Sequence, residues 1–311
     1  MSGATMGVRS VGDVIDRGAV PNMTDRPSDL RDDPSRSLKH PPGAVLDAFD
    51  SRALAWNEYL STPLGRLRRE LSLHFLSENL AGPGSGLRAL DAGGGTGSYA
   101  VELAELGYHV CLLDFSAEML ALARERILSH DPDLLELIYF RQGDVEEIDG
   151  LFPAGYFDLI LCHTLLEYLA QPLEVAGALA TALGAEGLVS FVLTNPEADA
   201  LRIALTRHDP KEAHLALEGS SSAAHLFGLS RRIIPPKEVA EKLGQLGMVK
   251  VADYGVRVVA DYLPPEKLAD PQFYGELFEL EKALGRLQAY KPVGRYRQLL
   301  MRKSGAASPT G

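Results

Sequence analysis

Residues Gly93-Gly94-Gly95-Thr96-Gly97 place four glycines in five positions, and no other stretch limits the fold of this chain as tightly. Glycine loses more backbone freedom on folding than any other residue, so such a cluster is costly unless the chain must take positive φ or let something approach with no Cβ between. Its flanks say where it sits. Leu87 to Leu90 is a short apolar run behind Gly86, and Ala100, Val101, Leu103 and Ala104 recur at helical spacing, so the glycines join a buried strand to a helix. A dinucleotide turn requires G-x-G-x-x-G, its third glycine one position later so that helix and strand pack closely. Gly93, Gly95 and Gly97 instead run G-x-G-x-G behind Asp91, which makes a nicotinamide dehydrogenase the least favoured reading.

Downstream, strands and helices alternate. Tyr108 to Leu113 is an apolar strand ending at Asp114, an acidic residue about 20 positions past the glycines, where a carboxylate can accept hydrogen bonds from both hydroxyls of a ribose. Asp114-Phe115-Ser116 then opens a helix, with Ser116 as N-cap and Glu118 in the first turn. A strand over 137–141 leads to Gly143-Asp144-Val145-Glu146. Phe157 to Leu161 is almost continuously apolar, as a parallel strand buried on both faces should be, and it ends at Cys162-His163, where ligands collect in open α/β sheets. A helix over 173–183 and a strand over 187–193 follow. Residues 248–259 and 295–301 read as two further strands, the last antiparallel, with a helix marked by Phe273, Leu277, Leu280 and Leu284 inserted between them. The pattern predicts a doubly wound α/β fold with a seven-stranded, mostly parallel sheet.

Before the sheet, Val45, Phe49, Ala53, Trp56 and Leu60 form one helical stripe, and Thr62-Pro63 starts another helix with Leu64, Leu67, Leu71 and Phe75 inward. Arg68 shares that inner face. An unpaired buried charge is expensive, so this guanidinium needs either a core carboxylate or an anionic ligand. The chain of 311 residues is 46% hydrophobic and carries a net charge of −11, which disfavours a general nucleic-acid binder but leaves a local basic patch open. Arg286, Lys291, Arg295, Arg297, Arg302 and Lys303, with no acidic residue among them after position 286, are the best local candidate for one. Residues 1–43 lack a sustained apolar period and read as a disordered tail, so the expected division is this tail and a single domain over 44–311: a helical cover (44–80), a core (86–195) and substrate-side segments (196–303). Cys111 and Cys162 fall inside strands as small core residues, no zinc-type spacing appears, and no run suggests a signal peptide or a membrane span; the expected address is the cytoplasm.

The glycine turn behind Asp91 resembles motif I of the S-adenosylmethionine (SAM)-dependent methyltransferases. The outlying signatures Gly65-Arg66-Leu67-Arg68, His163-Thr164-Leu165-Leu166-Glu167-Tyr168, Gly255-Val256-Arg257-Val258, Asp261-Tyr262-Leu263 and Gly294-Arg295-Tyr296 are similar, more narrowly, to the tRNA 5-carboxymethoxyuridine methyltransferases, over about residues 49–300. The resemblance implies a Rossmann-like domain with extra N-terminal helices and a helical insertion before the last strand. It implies SAM as cofactor, held by the residues matching Arg68, Gly93, Gly94, Asp114 and His163, with Asp144 meeting the adenine amino group and Val145 its ring. Asp91, Gly95 and Phe115 complete the expected cofactor set. Arg257, Arg295, Tyr262 and Tyr296 are the candidates for positioning the acceptor, although strand-edge arginines would look the same in sequence. The implied reaction is esterification of a carboxylate, best matched by 5-carboxymethoxyuridine in tRNA; a small carboxylic acid or hydroxyl metabolite, or a non-catalytic SAM- or RNA-binding role, are the alternatives. Family members can carry a lysine-rich run where this chain, over 218–232, holds only Arg231 and Arg232 as basic residues apart from His225.

Overall fold

The computed structural model describes residues 43–218 and 232–304. The expected tail, most of the 218–232 stretch with Arg231, and residues 305–311 lie outside the described residues.

The N-terminal cover is three helices, α1 (Gly43–Asp50), α2 (Ala53–Ser61) and α3 (Pro63–Ser77). The single stripe expected over α1 and α2 is interrupted at Ser51-Arg52, where Arg52 has φ −118° and ψ 9°. The break divides the labour of the stripe: Ala53 and Leu60 are buried, whereas Phe49 and Trp56 face a cleft. Thr62 caps α3, its hydroxyl oxygen accepting the Gly65 N–H at 3.1 Å, and Pro63 takes the first helical position where its missing donor does no harm.

The core follows as β1 (Arg88–Ala92), α4 (Ser98–Glu105), β2 (His109–Asp114), α5 (Ala117–His130), β3 (Ile138–Gln142), α6 (Ile148–Leu151), β4 (Phe157–His163), α7 (Pro172–Ala182) and β5 (Leu183–Thr194). After it come α8 (Asp199–Thr206), α9 (Pro210–Leu217), α10 (Pro236–Gln245), β6 (Met248–Val256), α11 (Pro265–Leu268), α12 (Pro271–Arg286) and β7 (Tyr296–Lys303). The seven strands lie in the order β3-β2-β1-β4-β5-β7-β6. Strands β1 to β5 run parallel, and β7 runs antiparallel to both its neighbours.

Both faces of this sheet are dry because alternate residues feed opposite cores. Leu90, Cys111, Ile160 and Cys162 pack on one side with α7 and α10; Ala89, Val110, Leu112, Leu159 and Leu161 pack on the other with α4 and α5. A third cluster joins Leu67, Leu71 and Phe75 of α3 to Val256, Leu277 and Tyr296. It clamps the N-terminal cover onto the antiparallel end of the sheet, and so brings Arg68 under the carboxyl ends of the strands.

The sixth strand ends at Val256, three residues short of its expected limit. Its continuation is captured by Glu281 of α12, whose carboxylate accepts the backbone N–H groups of Val258, Val259 and Ala260 at 2.6, 2.9 and 2.8 Å. Amides committed to a carboxylate cannot extend a ladder.

Candidate functional site

In an open α/β sheet, ligands bind where the strand order reverses, here between β1 and β4. A cleft of about 320 Å³ lies there, floored by Gly93, Gly95 and Asp114 and walled by α2, α3 and the loop after β6. Two glycines show why the turn is built as it is. Gly95 has φ 54° and faces the cleft. A Cβ on Gly94 would stand 2.7 Å from Asp91 Oδ2, so the loop closes tightly over that carboxyl.

Asp114 Oδ2 accepts the Gly95 N–H and Oδ1 the Ser116 N–H, both at 2.9 Å. A carboxylate has about four lone-pair sites, so with these amides and that of Phe115 taken, acceptor capacity still remains for a ligand. Burial raises its pKa to about 6, against the lowering effect of the Ser116 and Gly95 amides. Ser116 caps α5, accepting the Met119 N–H at 3.1 Å, and its hydroxyl donates to Asp50. Phe115 lines the cleft with Phe49 edge-on at 5.3 Å.

Arg68 is 3% exposed and forms no ion pair with a carboxylate among the described residues. Its guanidinium carbon lies instead 5.0, 5.6 and 5.4 Å from the rings of Trp56, Tyr59 and Tyr296, and its Nε has no hydrogen-bond partner among the described residues. Of the two explanations open in the sequence, the core salt bridge is not found among the described residues. Near it, His163 Nε2 meets Ser190 Oγ at 2.9 Å while Nδ1 has no partner among the described residues. Burial, then the Arg68 charge, push this imidazole down to about 3, so it is neutral.

The opposite wall is cationic. Arg257 forks onto Asp261 and donates to the Tyr59 hydroxyl at 2.7 Å. Arg295 and Arg202 share Asp199 Oδ1, at 2.8 and 2.9 Å. All three arginines line the cleft, which settles which way Arg257 and Arg295 point. Tyr296 sits among the guanidiniums of Arg68, Arg257 and Arg295, at 5.4, 5.5 and 5.7 Å from its ring centre. Burial alone would raise its phenol, but these three charges and the hydrogen bond with Tyr59 outweigh it and draw the pKa down. Thr164 and Arg257, both on the cleft wall, hold φ 53° and 57°. Non-glycine residues in that region cost on the order of 1–3 kcal/mol each and persist where the surroundings enforce them, often at functional sites.

Five expected residues do not line this cleft. Asp91 and Gly94 lie beneath the turn, where burial and then the neighbouring Asp114 raise the Asp91 pKa to about 7. Asp144 caps a short 3-10 turn through the Glu146 N–H at 2.9 Å, Val145 is buried in the apolar core, and Tyr262 sits behind Asp261 in the turn that follows β6. Conversely Trp56, Tyr59, Asp261, Arg202 and Asp199 belong to the site or its support and were not expected. Tyr59 falls three residues after Trp56 on the same helix, and Asp261 four after Arg257, so spacing offered a signal for these two. Arg202 carried none.

The candidate basic surface also differs from expectation. Arg286 pairs with Glu78, Lys291 and Arg297 with Asp253, and Arg295 with Asp199. Arg302 and Lys303 donate to backbone carbonyls, of Glu186 and Asn79 and of Ala180 and Leu183. Because β7 lies between two other strands, its basic side chains reach acceptors on both sides rather than forming a free array.

A doubly wound sheet of this order, with a glycine turn and a ribose-type acid at its switch point, defines a class I SAM-dependent methyltransferase. The family described as "Methyltransferase domain" matches residues 90–189. The tRNA 5-carboxymethoxyuridine methyltransferase of Escherichia coli (strain K12) is 30% identical over 245 residues, 78% of this chain and 90% of that enzyme. The ubiquinone biosynthesis O-methyltransferase of Bordetella avium (strain 197N) is 28% identical over 211 residues, 66% of this chain and 80% of the relative. Among solved structures, the putative methyltransferase in complex with the Haloferax volcanii Trm112 activator gives a TM-score of 0.55 at 17% identity, covering 84% of this chain and 97% of that one. A Thermotoga maritima SAM-dependent methyltransferase gives 0.53 at 14%, covering 83% and 99%. These two speak for the fold alone. The chain belongs to the family of SAM-dependent methyltransferases that includes the E. coli enzyme.

Proposed function

We propose that this enzyme transfers the SAM methyl group to a carboxylate oxygen, giving a methyl ester and S-adenosylhomocysteine, and that the acceptor is 5-carboxymethoxyuridine in tRNA. The observation that carries this reading is the wall of Arg68, Arg257 and Arg295 around Tyr296, where with Arg202 four guanidiniums meet the two carboxylates of Asp199 and Asp261, so that positive charge is left facing the glycine turn. The E. coli relative's activity supports the choice of acceptor, and a cytoplasmic address goes with it.

The residues present fit SAM. Arg68, buried with no acidic partner among the described residues, suits the carboxylate of its amino acid end, and Asp114 keeps acceptor capacity for the ribose hydroxyls. When bound, SAM supplies an electrophilic methyl whose carbon–sulfur bond breaks as the new carbon–oxygen bond forms. A carboxylate is ionised at neutral pH and needs no general base to act as nucleophile. The work left to the protein is to hold that oxygen in line and keep water out. Arg257 and Arg295 would orient the acceptor carboxylate, while Trp56 and Tyr59 of α2 cover the cleft from the solvent side.

Methyl transfer from labelled SAM to tRNA bearing carboxymethoxyuridine, beside tRNA lacking it, tests the proposal with nucleoside mass spectrometry as readout. Ester only on the first is the expected result. If SAM binds and neither tRNA is methylated, the acceptor assignment is wrong and the search turns to small carboxylic acids.

A further inference from the structure

Behind the cleft runs a buried polar chain that the reaction as described does not use. Gln298 of β7, Ser190 of β5 and His163 of β4 sit on three strands, with Gln298 and Ser190 fully buried. The Gln298 side-chain nitrogen lies 2.9 Å from the backbone carbonyl of Ser72 and 3.0 Å from Ser190 Oγ, and Ser190 Oγ lies 2.9 Å from His163 Nε2.

Giving every hydrogen in this chain an acceptor selects one assignment. The Ser72 carbonyl can only accept, so the atom facing it must be the amide nitrogen of Gln298 rather than its oxygen. That amide also gives a hydrogen to Ser190 Oγ. The hydroxyl keeps a second lone pair, but were it to accept from His163 as well its own hydrogen would have no acceptor among the described residues, so it donates to His163 Nε2. A nitrogen that accepts carries no hydrogen, so in the neutral ring the hydrogen resides on Nδ1. Nδ1 is buried and has no partner among the described residues, on a residue that lines the cleft with Arg68. The same Gln298 amide grips α3 at Ser72, one helical turn after Arg68.

We propose that Gln298 and Ser190 are positioning residues that lock His163 as its Nδ1–H tautomer, so that it offers a second donor, beside the Arg68 guanidinium, to the carboxylate of the bound cofactor. This rests on the reading of Arg68 as the cofactor's anion site. In metal sites, partners of this kind fix a histidine by holding its other nitrogen. Here the anchor is a hydroxyl oriented by an amide.

The test is the nitrogen-15 spectrum of the histidine side chains in the ligand-free full chain, with His163→Gln used to assign the signal. A protonated Nδ1 and a bare Nε2 are expected in the wild type. In Gln298→Met the serine hydroxyl is free to accept instead, so signals of both tautomers should appear, and SAM should bind roughly tenfold more weakly by calorimetry while kcat at saturating SAM stays near wild type. Ser190→Ala should give the same pair of changes if Gln298→Met does not fold. A wild-type ring protonated at Nε2, or a tautomer unchanged in both variants, overturns the lock. His163→Gln binding SAM as tightly as wild type overturns the donor's role while leaving the tautomer result intact, and retained affinity in an Arg68 variant separates failure of the cofactor reading itself.

Discussion

Two carboxyls at the glycine turn do different work although they lie close together. Asp114 keeps acceptor capacity open toward the cleft, so Asp114→Asn should lose charge-assisted hydrogen bonds worth about 1.5–3 kcal/mol each and weaken SAM binding at least tenfold by calorimetry; unchanged affinity would remove Asp114 from the site. Asp91 instead lies under the turn, and its effect is on stability. Its pKa rises from 3.8 to about 7, so between those values the folded protein holds more protons than the unfolded chain. Stability is therefore lost as pH climbs through this window. Asp91→Asn keeps the shape and removes the titration, so its melting temperature should fall less steeply between pH 4 and 7 than that of the wild type; parallel curves would contradict the assignment. At this scale the sequence was legible wherever chemical type broke a pattern. Arg68 interrupts an apolar helix face, and Asp114 and His163 end apolar strands. Arg202 and Asp199 sit in an unremarkable amphipathic helix, and their place emerges only when the fold sets α8 beside Arg295, the residue before β7.

Helices and strands were legible in kind, because a sheet buried on both faces leaves continuous apolar runs and capping residues mark where helices begin. Their ends were legible only where the cause is local. Thr62 and Pro63 start α3 from within, whereas β6 stops because Glu281, more than twenty residues on, takes its next three amides. Glu281→Gln puts donors opposite those donors and leaves buried amides unpaired. We expect a loss of about 2–3 kcal/mol in urea unfolding, together with lost activity, since the turn that holds Arg257 at φ 57° is released. A stable but inactive variant would show that the nest shapes the site without supporting the fold. The contact of α2 with α3 is equally specific. A Cβ on Gly65 would lie 2.1 Å from the Tyr59 carbonyl oxygen, so Gly65→Ala must push apart the helices that carry Tyr59 and Arg68.

For the molecule as a whole, the question is how an acidic protein would hold a polyanion. The net charge of −11 repels tRNA at long range, and the basic residues from Arg286 to Lys303 are largely committed to carboxylates and carbonyls of their own chain. Composition could not show this, because pairing is decided by which strands β7 lies between. Under the proposed function, recognition should then rest on the cleft lined by Arg202, Arg257 and Arg295, which would meet one modified nucleotide, rather than on a run of phosphates. Each phosphate neutralised contributes about −0.9 to the slope of log affinity against log salt for duplex, and about −0.7 for single strands. With one or two such contacts, affinity for the modified tRNA should fall roughly tenfold or less between 50 and 200 mM salt, against the 10³–10⁵ typical of proteins that grip 6–10 phosphates. Arg202→Met should then raise KM for the acceptor more than Lys291→Met does, since the first removes a guanidinium that lines the cleft and the second a cation paired with Asp253 outside it. A steep salt slope, or the reverse order of the two variants, would show that the backbone rather than the carboxymethyl group holds the substrate.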